Sequence, residues 1–485
     1  MNYKMISRLL GLILTAEAVF MTPALLIGLF HGERRTAVAF VLGIAALLAA
    51  AAILLLFSRK ARRGFYAKEG LVSVGASWIL MSLFGCLPFV FSGDIPNFLD
   101  ALFEMVSGFT TTGASIVTDI ESFSRGCLYW RSFSHWVGGM GVLVFLLAIV
   151  PVSEKNDGFT MHLLRAESPG PDVGKLMPKM RKTAMVLYLT YVALTVLNVI
   201  FLLAGDLPLL EAVCTAFGTA GTGGFGVKND SMASYSPYVQ TVTAVFMLIF
   251  GVNFSCYYLI LLGKLRAVFR DEELRLYLGI VGVSVLLIFL NVRGMFAGGW
   301  EALRHSFFQV SSIITTSGFA TTDFNLWPGF SKAILFGLMF IGACAGSTGG
   351  GLKCMRLLLL IKGVKRNISQ TLHPQKVQVI RVNGRVMDEK ILANTNSYFA
   401  AYMLLIAVSF LVISLDGQSL ETDLSAVISC LNNVGPGFDA VGPTVNFSFY
   451  SPISKTVLIL DMLLGRLEIF PILVLFSRHT WKRYG

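Results

Sequence analysis

Four short segments of this sequence place hydroxyl, amide and glycine residues where backbone oxygens could bind a dehydrated cation. Each follows an amphipathic run of roughly fifteen residues, which as a helix is too short to cross a bilayer. Glycine reaches backbone angles that are closed to other residues, so the carbonyl oxygens of such segments can point toward a common centre. The candidate ion-binding residues are Thr111, Thr112, Gly113, Thr222, Gly223, Thr316, Ser317, Gly318, Asn433, Val434 and Gly435.

The four segments lie about a hundred residues apart, each within the same order of apolar helix, short helix, glycine break and apolar helix. Ordinary turns between helices are the alternative, but such turns need no preceding apolar helix. Non-helical backbone at membrane depth persists only where protein buries it or where it lines water. We therefore interpret the four segments as one selectivity filter, assembled from a fourfold repeat around a single axis.

The composition is that of a multi-pass membrane protein. The chain has 485 residues, of which 55% are hydrophobic and 14% are charged, and its mean hydropathy is +0.71. Soluble domains rarely show this balance, so a lipid bilayer is the expected surrounding of the chain. The net charge of +11 lies in short loops between apolar runs. It therefore indicates membrane topology and no nucleic-acid partner.

About ten apolar segments have the length of a membrane span. The predicted fold class is an all-α polytopic membrane protein with four helix–pore-helix–helix repeats in pseudo-fourfold packing around a central pore, after a two-helix N-terminal segment. The predicted divisions are 1–67 for that segment, 68–152 for repeat 1, 153–264 for repeat 2, 265–366 for repeat 3 with a broken gating helix, and 367–485 for repeat 4 with a preceding cytoplasmic hairpin.

Lysine and arginine residues are concentrated on one side of this predicted topology. The segments that hold most of them are 1–8, 58–70, 151–183, 263–275, 353–390 and 477–485. Basic loops are retained in the cytoplasm. Both termini are therefore predicted to be cytoplasmic, with the chain in the cytoplasmic (inner) membrane and the filter segments opening on the outside.

Acidic residues flank the short helices and the glycine breaks. Those near the helix starts complement the positive end of the helix dipole, while the opposite, negative ends point toward the filter; they are Asp100, Glu211, Glu301 and Asp423. A second set, Asp119, Asp323 and Asp439, follows the glycines. We interpret this set as a negative outer mouth that concentrates cations. The alternative is that these acids are ordinary solvated loop charges.

A glycine-rich stretch, 341–351, interrupts the second helix of the third repeat. Each glycine costs about 1 kcal/mol relative to alanine in a helix, so a loop that lies across the cavity as a gate is predicted. Close helix packing through small residues is the alternative. The stretch lacks the residue order of a phosphate-binding loop. The candidate gating residues here are Ala345, Gly346, Ser347, Thr348, Gly349, Gly350 and Gly351.

Arg466 lies within the last apolar span, where an ionisable residue is a functional hypothesis by default. If the guanidinium faces the cavity, its charge repels a permeating cation and limits leakage. The alternative is a structural ion pair with Asp461 or Glu468.

The cytoplasmic segment 376–387 contains a predicted β-hairpin. Asn383-Gly384 lies between two runs of alternating apolar residues, which is a strong hairpin signal. A basic hairpin beside the gate-bearing helix suits the docking of a cytosolic partner, and a solvated loop that fixes topology is the alternative.

Together, seven motifs resemble those of the Trk/Ktr/HKT superfamily of cation transporters over essentially the whole chain. They are residues Phe109 to Gly113, His135 to Gly141, Thr219 to Phe225, Thr315 to Phe319, the glycine-rich stretch 341–351, Asn432 to Phe438 and Leu463 to Glu468. The second filter segment departs from the threonine-rich form, because Gly221 and Gly224 accompany Gly223.

The resemblance implies particular roles for these residues. Gly113, Gly223, Gly318 and Gly435 match the filter glycines, and a glycine at 113 indicates potassium rather than sodium. Residues 343–351 match an intramembrane gating loop, with Arg466 beneath it. The resemblance further implies a potassium ion in the pore, a homodimer, and a cytosolic TrkA-type regulatory ring. NAD or ATP would bind to that ring, and no nucleotide to this chain.

Two functions follow as hypotheses. The first is a potassium-conducting uptake protein that opens by movement of the loop. The second is a sodium- or proton-coupled secondary transporter with its substrate site at the broken helix. Parallel fourfold repeats favour the first. The sequence contains no nucleophile elbow or catalytic pair that would indicate an enzyme.

Overall fold

The computed structural model describes residues 1–59, 67–141, 180–375 and 377–481. Within these ranges the chain is helical, except for connecting loops and one two-stranded hairpin. Six of the described helices are long and apolar enough to cross a membrane, or seven if one bent pair is counted as a single span. The predicted boundary between repeats 1 and 2 falls in residues 142–179, outside the described ranges.

The first two helices form an antiparallel pair that precedes the repeats. They are α1 (Tyr3–Phe30) and α2 (Arg34–Phe57). The helices pack closely, since a β-carbon at Gly11 would lie 2.8 Å from the Leu55 side chain. Such close contact lets dispersion forces hold two helices together in lipid, where water does not drive their association.

Each repeat consists of a long helix, a half-span helix and a second helix. In the first repeat these are α3 (Ala67–Gly85) with the short α4 (Leu87–Ser92), α5 (Phe98–Phe109) and α6 (Arg125–Met140). In the second they are α7 (Met180–Leu203), α8 (Leu209–Ala220), and α9 (Pro237–Phe250) with α10 (Phe254–Leu261) and the short α11 (Leu265–Phe269).

The third and fourth repeats follow the same order. In the third these elements are α12 (Glu272–Val292), α13 (Gly299–Ile314), and α14 (Gly329–Ile341) with α15 (Cys354–Leu372). Strands β1 (Arg381–Val382) and β2 (Arg385–Val386) then pair antiparallel. The fourth repeat has α16 (Glu389–Ile413), α17 (Leu420–Asn432), and α18 (Pro452–Arg466) with α19 (Phe470–Phe476) and α20 (Arg478–Trp481).

Breaks in the second helix are more general than the sequence indicated. The predicted break after Ile341 is present, but α9 and α10 are also separated by a bend of 88°. In the fourth repeat, α18 and α19 are separated at 467–469. Residues 239–262 and 457–476 each have the apolar length of one span in the sequence, but the structure divides both into two helices. Local capping explains it: Asn253 caps α10 by accepting the Ser255 N–H at 2.9 Å, and Pro471 stands in the first turn of α19.

Candidate functional site

The four half-span helices end in the same backbone motif. In each, the residue after the helix or its cap has a left-handed conformation, with φ between 51° and 59°; these residues are Thr111, Thr222, Thr316 and Asn433. The next residue donates its N–H five residues back, at 2.8 or 2.9 Å, as Thr112 does to the Ser107 carbonyl. Glycine usually occupies the left-handed position of this motif. A β-branched residue there is strained, and its recurrence indicates a functional constraint.

A second left-handed residue, always glycine, follows two positions later. These glycines are Gly113, Gly224, Gly318 and Gly435, with φ values of 83°, 78°, 78° and 103°. The structure therefore places Gly224, and not Gly223, at the position equivalent to Gly113. Gly223 corresponds to Thr112. The sequence offered three glycines in this segment, and only the backbone conformation distinguishes them.

These glycines bring the four segments into a closed ring, here called the central ring, which comprises residues 111–113, 222–224, 316–318 and 433–435. A β-carbon on each glycine would meet a carbonyl oxygen of the next repeat. The distances would be 2.1 Å from Gly113 to Gly223, 1.8 Å from Gly224 to Ser317, 2.3 Å from Gly318 to Val434 and 2.7 Å from Gly435 to Thr112. The fourth contact returns to the first repeat, so the ring is complete.

Hydrogen bonds join the loops that follow the ring segments, in the same cyclic order as the ring. The Asn229 side chain accepts the Ile120 N–H at 2.7 Å, which joins repeats 1 and 2. The Ala320 carbonyl accepts the Met232 N–H at 2.9 Å. The Asn325 side chain accepts the Asp439 N–H at 3.0 Å, and the Ser115 carbonyl accepts the Phe447 N–H at 2.8 Å. These bonds fix the four copies to one another independently of the ring.

The three predicted mouth acids lie in the loops that follow the ring segments and make local hydrogen bonds. The Asn229 amide donates to Asp119 at 2.9 Å and lowers the pKa of that exposed carboxyl. The hydroxyls of Ser419 and Thr422 lower the pKa of Asp439 in the same way. The Asp323 carboxylate accepts the Asn325 N–H at 2.9 Å. Each acid therefore has a structural role, and a charge on Asp119 or Asp439 is favoured at neutral pH.

A buried ion pair lies beside the central ring, and no local sequence pattern indicated it. Arg131 on α6 and Glu104 on α5 are 2.6 Å apart, with side chains 2% and 0% exposed. Arg131 also donates to the Gly226 carbonyl at 3.0 Å and lies 3.5 Å from the centre of the Phe225 ring. One buried pair thus connects the first repeat to the chain that leaves the second ring segment.

The broken helix of the third repeat places its loop, 342–353, directly against the side of the central ring on which the half-span helices end. The Gly350 N–H donates to the Thr316 hydroxyl at 2.7 Å, and a β-carbon at Gly350 would lie 2.4 Å from the Asn432 carbonyl. The Cys344 N–H donates to the Gly251 carbonyl at 3.1 Å. The stretch is therefore a packed loop that touches repeats 2 and 4 as well as its own, and not a continuous helix packed through small residues.

Arg466 ties this loop to the first repeat. Its guanidinium donates to the carbonyl of Thr348 at 2.7 Å and to those of Gly138 and Gly139 at 2.5 and 2.8 Å. Of the two acids that the sequence offered as ion-pair partners, Glu468 pairs with Arg356, and Asp461 accepts the Ser409 hydroxyl at 2.7 Å. Arg466 thus serves as a donor to backbone carbonyls at the loop.

The predicted hairpin is present and lies against the start of α12. Asn383 donates its side-chain amide to Asp271 at 2.7 Å and its backbone N–H to Glu272 at 2.8 Å. The next residue, Glu273, accepts the Ala345 N–H at 2.6 Å. The hairpin and the loop beneath the ring are therefore attached to adjacent residues of one helix end.

The fold and the central ring together define a multi-span membrane protein built from four copies of one unit around a common axis. A sequence model of the TrkH family, described as a cation transport protein, matches residues 36–483. The Trk system potassium uptake protein TrkH of Salmonella typhimurium is 36% identical, over 99% of this chain and 100% of that protein. The protein of the same name from Escherichia coli K12 is 35% identical with the same coverage.

A crystal structure of the potassium transporter TrkH from Vibrio parahaemolyticus superposes with a TM-score of 0.88 at 31% identity, over 99% of this chain and 100% of that one. The chain therefore belongs to the TrkH family. The predicted fold class and the resemblance to this superfamily are confirmed.

Proposed function

We propose that this protein takes up potassium across the cytoplasmic membrane, with the central ring as its selectivity filter. The observation that carries the proposal is the cyclic contact of the four ring segments. In each contact, the lack of a side chain on the glycine lets a carbonyl oxygen of the next repeat approach closely. Its relatives from Salmonella typhimurium and Escherichia coli are named as potassium uptake proteins. A ring of backbone carbonyls can replace the hydration shell of a cation.

Two further features suit a cation in the ring. The half-span helices carry acids in their first turns and end at the ring, so their negative dipole ends point toward it. The Thr111 hydroxyl and Asn433 Oδ1 are buried and have no hydrogen-bond partner among the described residues. Unsatisfied buried oxygens are costly, and a bound cation would satisfy them.

The loop at 342–353 is the gate in this proposal. It lies against the inner side of the ring, and Arg466 secures it through the Thr348 carbonyl at 2.7 Å. In the closed arrangement the loop blocks the path and brings a positive charge near it. Opening requires the loop to leave the ring, which breaks the bond from Gly350 to Thr316.

Control by a cytosolic partner fits the position of the hairpin. The proposed assembly is a homodimer with both termini in the cytoplasm and a TrkA-type ring that carries NAD or ATP. The name "Trk system" of the relatives indicates a protein that works with other components. The hairpin of 381–386 contains exposed arginines at 381 and 385, and it reaches the gate loop through Glu273.

Ion flux into proteoliposomes tests the proposal. We expect rubidium uptake that potassium inhibits more strongly than sodium, and that needs no sodium or proton gradient. Uptake that depends on either gradient would support the alternative, a coupled transporter with its substrate site at the broken helix. Absence of potassium preference in correctly folded protein would refute the filter.

A further inference from the structure

His135 on α6 is a fully buried histidine placed between two ring segments. Its Nδ1 lies 2.7 Å from the Gly108 carbonyl, just before the first segment, and its Nε2 lies 3.2 Å from the Phe225 N–H, just after the second. A backbone N–H can only donate, so Nε2 accepts and Nδ1 carries the proton that goes to Gly108. The imidazole is therefore held as one neutral tautomer that bridges repeats 1 and 2.

The backbone and imidazole of His135 together occupy space that side chains fill in other repeats. A β-carbon at Gly221 would lie 2.4 Å from the His135 carbonyl, and one at Gly223 would lie 2.4 Å from the imidazole Cγ. The second segment must therefore lack side chains at both positions. The close contact with His135 therefore explains why the second segment departs from the threonine-rich pattern.

Two other repeats have a hydroxyl pair at the same two positions. The hydroxyls of Thr110 and Thr112 are 2.7 Å apart in the first repeat, and those of Thr315 and Ser317 are 2.9 Å apart in the third. In each of these repeats, the hydrogen bond between the two hydroxyls stabilises the conformation of the ring segment. Gly221 and Gly223 can form no such pair, so the second segment needs support from outside itself.

We infer that His135 is the positioning residue for the second ring segment and thereby sets discrimination between potassium and sodium. The inference rests on the proposed filter. The Gly223 carbonyl meets Gly113 at the closest approach of repeats 1 and 2. His135 packs on Gly223 and holds the Phe225 N–H, while its ring lies 4.1 Å from that of Phe225. Without these contacts, the glycine segment is free to shift its carbonyl relative to the other three.

Two substitutions test the two hydrogen bonds of the His135 imidazole one at a time. His135→Asn keeps a donor near Nδ1 for Gly108 but removes the acceptor for the Phe225 N–H. His135→Gln keeps an acceptor near Nε2 and removes the donor. We expect His135→Asn to increase inhibition of rubidium uptake by sodium about five- to tenfold, the factor that corresponds to one buried hydrogen bond. His135→Gln should remain closer to the native protein.

His305→Asn is the matched control, because His305 is also buried and its Nδ1 lies 2.9 Å from the hydroxyl of Thr321, a residue outside the ring segments. It should leave the sodium-to-potassium ratio unchanged. A merely structural role for His135 would lower the amount of folded protein without altering that ratio.

If His135→Asn does not fold, a combined variant tests whether His135 sets the ion selectivity. His135→Ala with Gly223→Ser places a hydroxyl, like that of Ser317 in the third repeat, in the space that the imidazole leaves, and potassium preference should recover relative to His135→Ala alone. Unchanged selectivity in folded His135→Asn, or no recovery in the folded combined variant, would overturn the inference. If the native protein shows no preference for potassium over sodium, the proposed filter itself would be refuted.

Discussion

Two constraints act together on the ring glycines. Their φ values are positive, and a β-carbon on any of them would lie within 2.7 Å of a neighbouring carbonyl oxygen. Real β-carbons do not approach so closely, so a side chain must displace the next repeat. Substitution at one glycine therefore alters the spacing of the whole ring, which is the quantity that a filter must control.

Gly113→Ser is expected to weaken discrimination between potassium and sodium. The new side chain would displace the Gly223 carbonyl, now 2.1 Å from the β-carbon position. Gly32→Ser is the control, because Gly32 has a φ of 73° but nothing within 4 Å of its β-carbon position. The measurement is inhibition of rubidium uptake by each ion. Equal selectivity in native protein and folded Gly113→Ser would contradict the ring account.

Arg466→Gln is expected to raise cation flux about tenfold or more. The charged guanidinium donates to three carbonyls that join the loop to the first repeat, and a glutamine amide cannot reach all three. Loss of two charge-assisted bonds is sufficient for such a factor. Flux is measured in proteoliposomes at equal protein content. A folded variant with native or lower flux would exclude Arg466 as a restraint on the loop.

Residue types at the ring could be predicted from the sequence, but their register and support could not. A glycine break after a short apolar run predicted backbone coordination at all four segments. Gly224 was not predicted as the equivalent of Gly113, because that equivalence depends on φ and the segment contains adjacent glycines. Glu104 and Arg131 form a pair across two helices, and no local pattern marks such a contact.

At the scale of elements, apolar length predicted the half-span helices but not most of the breaks. The break after Ile341 has five glycines nearby and was predicted. The break between α9 and α10 has one glycine, and that between α18 and α19 has none. Tertiary contacts and capping fix these bends, so composition alone gave continuous helices.

Glu273 connects the hairpin-bearing end of α12 to the loop, and removing its acceptor should raise flux. Glu273→Leu leaves the Ala345 N–H, now bonded at 2.6 Å, without this partner. We expect an increase of about fivefold, in line with one lost buried hydrogen bond. Glu273→Gln retains an amide oxygen that can accept and should lie near the native flux. Identical flux in the two folded variants would rule out this bond as a restraint.

At the scale of the whole molecule, closure depends on contacts between the fourth and first repeats. The sequence predicted the number of repeats and their common axis. It could not predict which loops meet, because the partners are far apart in the chain. Lys455 on α18 and Asp100 on α5 illustrate this point: they form an ion pair at 2.7 Å, with side chains 9% and 25% exposed.

Lys455→Met is expected to lower the free energy of unfolding by about 1–3 kcal/mol, because it leaves a largely buried carboxylate unpaired. Lys332→Met is the control. Lys332 and Glu421 also join two repeats, at 3.3 Å, but their side chains are 28% and 53% exposed, so the change should stay within about 0.5 kcal/mol. Thermal unfolding in detergent compares the two. Equal effects would show that closure does not depend on the buried pair.

The most direct test of the central ring is the anomalous scattering of crystals grown with rubidium or thallium. We expect an anomalous peak on the axis, enclosed by the carbonyl oxygens of Thr112, Gly223, Ser317 and Val434. An ordered ring with no peak inside it, and a peak instead at the broken helix of the third repeat, would contradict the account.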